Sequence, residues 1–323
     1  MGRRIRGPLV SVIVPACNSE GFIRETLGSI QAQTFQDWEC VIVDDASTDK
    51  TRAEVEGFIG GDERFRFFSL PFRVGVSSAR NRGFLESCRE TAFVCFMDSD
   101  DRWFPDSLQR LVKGIERRPD SVGIHGLGEF IGMGGELIAP GAFQRFGRRR
   151  LGFLDGEIQV WPTSEASCFA SLCWSGTVYP PGVLLTRRKG YERVGLFDEG
   201  LRFSEDWDMV IRLSRMGAIG FLNEEVVQYR RHPGNATQDH TANSRGARSV
   251  HLKTFFSAQN RSVHRRVLRV GWRAWERFKL REKVQMAWRG MVERDWGGAS
   301  RGVLAAPVHA LRYVSGYPEL NLF

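Results

Sequence analysis

The sequence predicts an α/β protein: a mostly parallel sheet flanked by helices, followed by a helical C-terminal extension. Three observations carry this reading. Across residues 8–118, short β-branched apolar runs alternate with segments of helical apolar spacing, the pattern of strands and crossover helices. The runs that read as strands end in polar, turn-rich clusters, the place where such sheets bind ligands. The composition, 42% hydrophobic and 26% charged over 323 residues, excludes a disordered chain, a collagen-like fibre and a small disulfide scaffold. It also allows a sizeable core.

Leu9–Val14 is a β-branched run and reads as a buried strand closed by Pro15. A helix follows from Ser19-Glu20, with Phe22, Ile23, Leu27 and Ile30 at helical spacing. Trp38–Val43 is the next strand. It runs into Asp44-Asp45-Ala46-Ser47-Thr48-Asp49, a turn that opens a helix near Thr51. Phe65–Leu70 is a third strand, Ser77–Ser87 a helix and Ala92–Met97 a fourth strand, ended by Asp98-Ser99-Asp100-Asp101. Beyond Pro119 the pattern is less regular. Gly123–Gly135 suggests strands joined by tight turns, and Gly147–Arg150 a mobile basic loop. A helix is expected from Phe203, with Trp207, Val210, Ile211 and Leu213 on one stripe, and a strand or extended exit segment over Val226–Arg231.

The net charge of +8 permits an anionic partner without naming one. It is concentrated from Ser244 onward, where 16 Lys and Arg face 5 Asp and Glu. There Val263, Val267, Val270, Trp275 and Phe278 alternate with Arg265, Arg266, Arg269, Arg273 and Arg277 at helical spacing. Such a helix either packs on the main domain with a solvated basic face or lies on an anionic membrane surface. No nucleic-acid-binding motif accompanies the charge, so no nucleic-acid partner is expected. No apolar run reaches the ~20 residues of a membrane span. The basic start, Met1–Arg6, leads into a short strand rather than a signal peptide. The six cysteines match no zinc spacing and read as reduced thiols of a cytosolic protein.

Carboxylates grouped at a strand end repel one another unless a cation or hydrogen bonds compensate. Asp98 and Asp100 are hard oxygen ligands suited to Mg²⁺ or Mn²⁺, ions commonly shared with substrate phosphates. No Gly-x-Gly-x-x-Gly follows the first strand, which argues against a dinucleotide-dependent dehydrogenase.

Four blocks in order, Val10–Asn18, Val43–Asp49, Ser78–Gly83 and Asp98–Asp101, resemble glycosyltransferase family 2. The resemblance implies a GT-A fold with a Rossmann-like, mostly parallel sheet, a nucleotide-sugar donor, a divalent metal and inverting chemistry. It implies that Pro15, Ala16 and Asn18 form the loop under the nucleotide. Asp45 contacts a pyrimidine base, with Asp44 supporting it. Arg80 lies on the nucleotide side, Asp98 and Ser99 on the ribose or donor sugar, and Asp100, with Asp98, on the metal. Cys17 departs from the family, whose members often carry there a Tyr that stacks on the base. In the second half, Gly195–Glu199 and Ser204–Asp208 resemble the acceptor region. Asp206 is the matching general base, with Glu205 orienting it or the acceptor, because the attacking hydroxyl must lose its proton. Tyr229–Asn235 resembles a further family segment. It makes His232 a metal or diphosphate ligand and Arg230 and Arg231 phosphate donors or solvated groups. Trp174 and Tyr179 are candidates for an acceptor groove or for core packing.

These expectations describe a metal-dependent inverting glycosyltransferase using a UDP-sugar and a glycan or lipid-linked glycan acceptor. The catalytic domain covers 8–240, in a donor half 8–118 and an acceptor half 119–240, and the basic helical extension covers 241–323. The expected location is cytoplasmic, peripheral to the inner face of the membrane through 244–323. Two alternatives stand beside this one: a catalytically silent nucleotide-sugar-binding protein, and a nucleotidyltransferase of related fold. Pro15-Ala16-Cys17-Asn18, where a nucleotidyltransferase carries a Gly-rich phosphate loop, argues against the latter.

Overall fold

The computed structural model describes residues 7–292. The basic start, Met1–Arg6, and the last part of the basic extension, 293–323, lie outside the described residues. In chain order the elements are β1 (Val10–Ala16), α1 (Ile23–Gln31), β2 (Trp38–Asp44), α2 (Thr51–Ile59), β3 (Phe65–Ser69), α3 (Val76–Glu86) and β4 (Phe93–Phe96). Next come β5 (Arg102–Trp103), α4 (Ser107–Glu116), β6 (Gly123–Ile131), α5 (Ala142–Arg148), β7 (Leu151–Leu154), β8 (Glu157–Val160) and α6 (Phe169–Leu172). The chain continues with β9 (Leu184–Arg187), α7 (Arg188–Val194), α8 (Glu205–Ser214), β10 (Ile219–Arg230), α9 (His240–Phe256) and α10 (Ser262–Val292).

Eight strands form one sheet in the order β3-β2-β1-β4-β9-β6-β10-β5. The first four are parallel neighbours. β1 and β2 are buried along their whole length, as strands covered on both faces must be. The parallel order breaks at β9, which runs antiparallel between β4 and β6. β10 pairs parallel with β6 and antiparallel with the short β5. The sheet is therefore mixed, mostly parallel, with its ligand-binding edge where β1, β2 and β4 end.

α3 lies unusually close to this sheet. A Cβ on Gly83 would sit 2.4 Å from Ile13 Cγ2, so only glycine allows the approach. A second apolar cluster joins Trp174, Trp207 and Ile211 to Val250 on α9 and to Leu268 and Trp272 on α10. Here too a close approach depends on glycine, since a Cβ on Gly271 would lie 2.5 Å from Trp174 Cζ2.

Several sequence expectations are corrected. Gly147–Arg150 is not a mobile loop: Gly147 and Arg148 end α5, and Arg150 is buried. Its guanidinium donates to Ser167 Oγ, Pro162 O and Glu165 O and lies 4.0 Å over the Phe221 ring. Gly123–Gly135 holds one strand, β6, and one turn rather than several strands. The strand or extended segment expected over Val226–Arg231 is borne out as the end of β10, which runs to Arg230. On α10, Val267, Trp275 and Phe278 pack on the second cluster, whereas Val263 and Val270 are exposed among Arg266, Arg269 and Arg273. The aromatic residues suited to a membrane surface are thus directed into the protein itself. All six cysteines are free thiols. Among the described residues, no helix is long and apolar enough to cross a membrane.

Candidate active site

A cavity of about 470 Å³ opens at the C-terminal ends of β1, β2 and β4. Its walls come from these strand ends, the start of α3, the loop before α8 and the segment after β10. Pro15, Ala16, Asp45, Arg80, Asp98, Ser99 and Asp100 line it from one side, and Tyr179, Glu205 and Asp206 from the other. Trp174 is instead buried in the second cluster, stacked on Trp275.

The strand ends set the first side. Asp45 is buried beside the cavity, its two oxygens accepting from Val74 N (2.7 Å) and Gly75 N (2.8 Å). The carboxylate thus fixes the β3–α3 connection, and each oxygen keeps a further lone pair. Asp44 and Asn18 lie outside the cavity lining. Asp44 accepts from Ser47 N and Ser47 Oγ and from Ser69 Oγ. Asn18 Oδ1 accepts from Thr48 N, so its role is to hold the β2–α2 loop. Cys17 lines the wall, its thiol donating to Asp45 O at 3.5 Å. Burial raises the pKa of that thiol, and the charge of Arg73 opposes the rise.

At the end of β4, Ser99 shares a 2.7 Å hydrogen bond with Ser19 Oγ. Asp98 Oδ1 accepts from Arg80 Nη2 at 2.8 Å. Burial, only partly offset by Arg80, holds the Asp98 carboxyl above its ordinary pKa. Asp100 Oδ2 accepts from His232 Nε2 at 2.9 Å. Gly234 N donates to His232 Nδ1, which assigns the ring proton to Nε2, facing Asp100. The His232 ring is seated 4.7 Å from that of Phe22.

This end fits a divalent cation. Among the described residues, no group of three or more His, Cys, Asp or Glu side chains is arranged to hold a metal alone. Asp100 Oδ2 and His232 Nε2 lie 2.9 Å apart, close to the ~3 Å edge of an octahedron with ~2.1 Å arms; an ion there would replace the Nε2 proton, which would pass to Nδ1 and end the acceptance from Gly234 N. Mg²⁺-like ions usually take one or two protein ligands and leave the rest to phosphate and water. Asp98 is drawn toward Arg80 instead.

Arg80 reaches the cavity from inside the fold. It is almost fully buried and bridges Asp98 and Glu205, the latter at 2.7 Å. Burial alone would lower its pKa, but Asp98, Glu205 and Asp206 outweigh this and raise it. Glu205 is therefore held by Arg80. Asp206, its neighbour at the start of α8, keeps a partly exposed side chain whose Oδ1 accepts from Trp207 N at 2.7 Å. Burial, then the charge of Glu205, pushes its pKa up to about 7. A carboxylate poised near neutrality is suited to accept a proton.

Sequence reasoning missed the support behind the metal end. Arg230 is not a phosphate donor. It is fully buried and donates to Asp100 O, Gly132 O, Met133 O and Glu25 Oε2. Its backbone N–H donates to the buried Asp101, whose carboxyl is pushed well above the usual range by burial and by Asp100 and Asp98. Arg231 is exposed over the Phe130 ring. Arg73 and Arg202, which also line the cavity, escaped notice because isolated arginines in loops carry no spacing signal.

A mixed sheet bearing this cavity, with a metal-suited end and a separate poised carboxylate, has the form of a GT-A glycosyltransferase. The model of the family "Glycosyl transferase family 2" matches residues 11–194. The chain belongs to that family and is a glycosyltransferase. An uncharacterized glycosyltransferase of Haemophilus influenzae is 26% identical over 71% of this chain and 67% of its own length. The UDP-Glc:alpha-D-GlcNAc-diphosphoundecaprenol beta-1,3-glucosyltransferase WfgD of Escherichia coli is 35% identical over 31% of this chain and 38% of its own. Among solved structures, S. aureus TarS 1–349 in complex with UDP-GlcNAc aligns with TM-score 0.62 and 16% identity, covering 95% of this chain and 92% of that one. The mannosyltransferase PcManGT from Pyrobaculum calidifontis, in complex with GDP-Man and Mn2+, aligns with TM-score 0.63 and 17% identity, covering 96% and 79%. At these identities the structural likeness establishes the fold.

Proposed function

We propose that the protein moves a sugar from a UDP-sugar to a hydroxyl of a glycan or lipid-linked glycan, inverting the anomeric centre, with Asp206 as general base. One observation carries this reading. Asp206 faces the same cavity as Asp98 and Asp100, is not engaged by Arg80, and has a pKa raised to about 7. Proton uptake is thereby set apart from the end suited to phosphates. Asp100 and His232 would hold Mn²⁺ or Mg²⁺, which when bound neutralises charge on the leaving diphosphate. Pro15, Ala16, Asp45 and Ser99 flank the donor. Arg80 holds Asp98 and Glu205 in place, which keeps two buried charges paired and leaves Asp206 as the proton acceptor. Tyr179, across the cavity, offers a ring face to the acceptor sugar.

The WfgD name supports a lipid-linked acceptor. With that acceptor, a cytoplasmic enzyme peripheral to the inner membrane face would use the arginine side of α10. We assign catalysis to 8–240 and a supporting role to the extension 241–323. The test is transfer from UDP-sugars in Mn²⁺ or Mg²⁺ by wild type and Asp206→Asn, with the product anomer read by NMR. Loss of transfer with donor binding kept supports the reading. Full activity in the variant, or a retained anomer, overturns it.

A further inference from the structure

The metal-suited pair joins two parts of the chain that no long ladder connects. Asp100 follows β4 and His232 follows β10, and β9 and β6 lie between those strands in the sheet. The short β5 does reach β10, but in two pairs only, Arg102 with Gln228 and Trp103 with Val227. In that antiparallel register Asp101 and Asp100 would come next, opposite Tyr229 and Arg230, and the ladder stops before them.

Arg230 continues the connection with its side chain. Its backbone N–H donates to Asp101 Oδ1 at 3.0 Å and its Nε to Asp100 O at 2.9 Å. The rest of the guanidinium is fixed from behind, Nη1 donating to Met133 O at 2.7 Å and Nη2 to Glu25 Oε2 at 2.6 Å. Its central carbon lies over the Phe22 ring, 5.2 Å from the centroid. The same ring is 4.7 Å from that of His232. Phe22 precedes α1 and Glu25 lies in its first turn, so the start of one helix supplies both contacts. His232 follows two residues after Arg230. The side chain of Arg230 thus holds Asp100, its main chain carries His232, and Phe22 packs against both.

We infer that Arg230 is a positioning residue for the divalent cation: it sets the distance between Asp100 Oδ2 and His232 Nε2, with Phe22 as the spacer that seats the imidazole. This rests on the metal-end reading above. Arg230 is fully buried and saturated by protein acceptors, so it acts through the two ligands and touches neither ion nor diphosphate. Only a planar fork can serve acceptors in these several fixed directions; an ammonium cannot. A pair held in place before the ion arrives gives up less freedom on binding than one that must be assembled. The effect therefore falls on metal affinity and leaves the nucleotide's own contacts alone.

The experiment follows Mn²⁺ uptake in the presence of UDP by electron paramagnetic resonance of the free ion, and UDP binding without metal by ligand-detected NMR, on wild type, Arg230→Lys and Phe22→Leu. Lysine keeps a cation for Glu25 and loses the fork, so Mn²⁺ affinity is expected to fall about ten- to hundredfold, with metal-free UDP binding unchanged. Phe22→Leu leaves the buried hydrogen bonds intact and should lower Mn²⁺ affinity severalfold, again with metal-free UDP binding unchanged. Urea unfolding shows which variants fold; if Arg230→Lys does not, Phe22→Leu decides, and wild-type Mn²⁺ affinity there overturns the inference. Wild-type Mn²⁺ affinity in a folded Arg230→Lys overturns it too, as does an equal loss of metal-free UDP binding, the mark of a general loosening of the fold. Wild type that takes up no Mn²⁺ overturns the metal-end reading and this inference together.

Discussion

Asp206 is set apart from the neighbouring carboxylates by its surroundings. Five acidic side chains line the cavity, but Asp45 is held by backbone amides and Asp98 and Glu205 by Arg80. With its pKa near 7, Asp206 should impose an acid limb on transfer, with kcat/KM rising through pH ~7 and flat above it. Asp206→Asn should abolish that limb and lower kcat by about 10²–10⁴. The same shift has a consequence for stability. The folded state holds this proton more tightly than the unfolded chain, so stability falls as pH rises from ~4 to ~7. Asn cannot ionise, so melting curves should show Asp206→Asn more stable than wild type at pH 8 and little different at pH 4. The reverse order would contradict the raised pKa. At this scale Asp45, Asp98 and Asp100 were legible in the sequence because they fall at strand ends, and Glu205 and Asp206, at the start of α8, only through the family resemblance. The arginines were not. Arg80, Arg150 and Arg230 all read as surface or ligand groups, yet each is buried in a fixed set of acceptors. Sequence carries no mark that separates a buried guanidinium from a solvated one, since its partners are distant in the chain.

At the scale of elements, α3 is the hinge of the site. Gly83 brings it onto β1, and Arg80, one turn earlier, then ties the end of β4 to the start of α8. Replacing a helix-interior glycine by alanine ordinarily stabilises by about 1 kcal/mol. At Gly83 the added carbon meets Ile13, a β-branched side chain fixed in a buried strand. Overpacking of about 1–3 kcal/mol should then win, and Gly83→Ala should unfold at lower urea. Arg80→Ala leaves Asp98 and Glu205 unpaired and should cost about 3–5 kcal/mol in the same assay, with transfer lost. The parallel half was readable because doubly buried strands form near-continuous apolar runs, as in Val10–Ala16, where only Ser11 is polar. The second half was not. β6 (GIHGLGEFI) carries three glycines, β9 has four residues and β5 two. None is long or regular enough to show a period.

Over the whole molecule, the extension is part of the site's support. Trp207, next to Asp206, meets His251 of α9 at 4.9 Å, and Lys253 pairs with Asp198 and the buried Asp208 of α8. Ending the chain after residue 240 would expose Trp174, Trp207 and Ile211. Such a protein should aggregate or lose transfer activity. A soluble, fully active 1–240 fragment would show that the extension serves elsewhere. In the proposed reaction one cavity holds the donor through its metal end and takes the acceptor's proton at Asp206. This is tested most directly by calorimetry of UDP binding, with and without Mn²⁺, to wild type, Asp100→Ala and Asp206→Asn. Mn²⁺-dependent binding that is lost in Asp100→Ala and kept in Asp206→Asn is the expected result. UDP binding indifferent to Mn²⁺ and to Asp100, or abolished by Asp206→Asn, would contradict it.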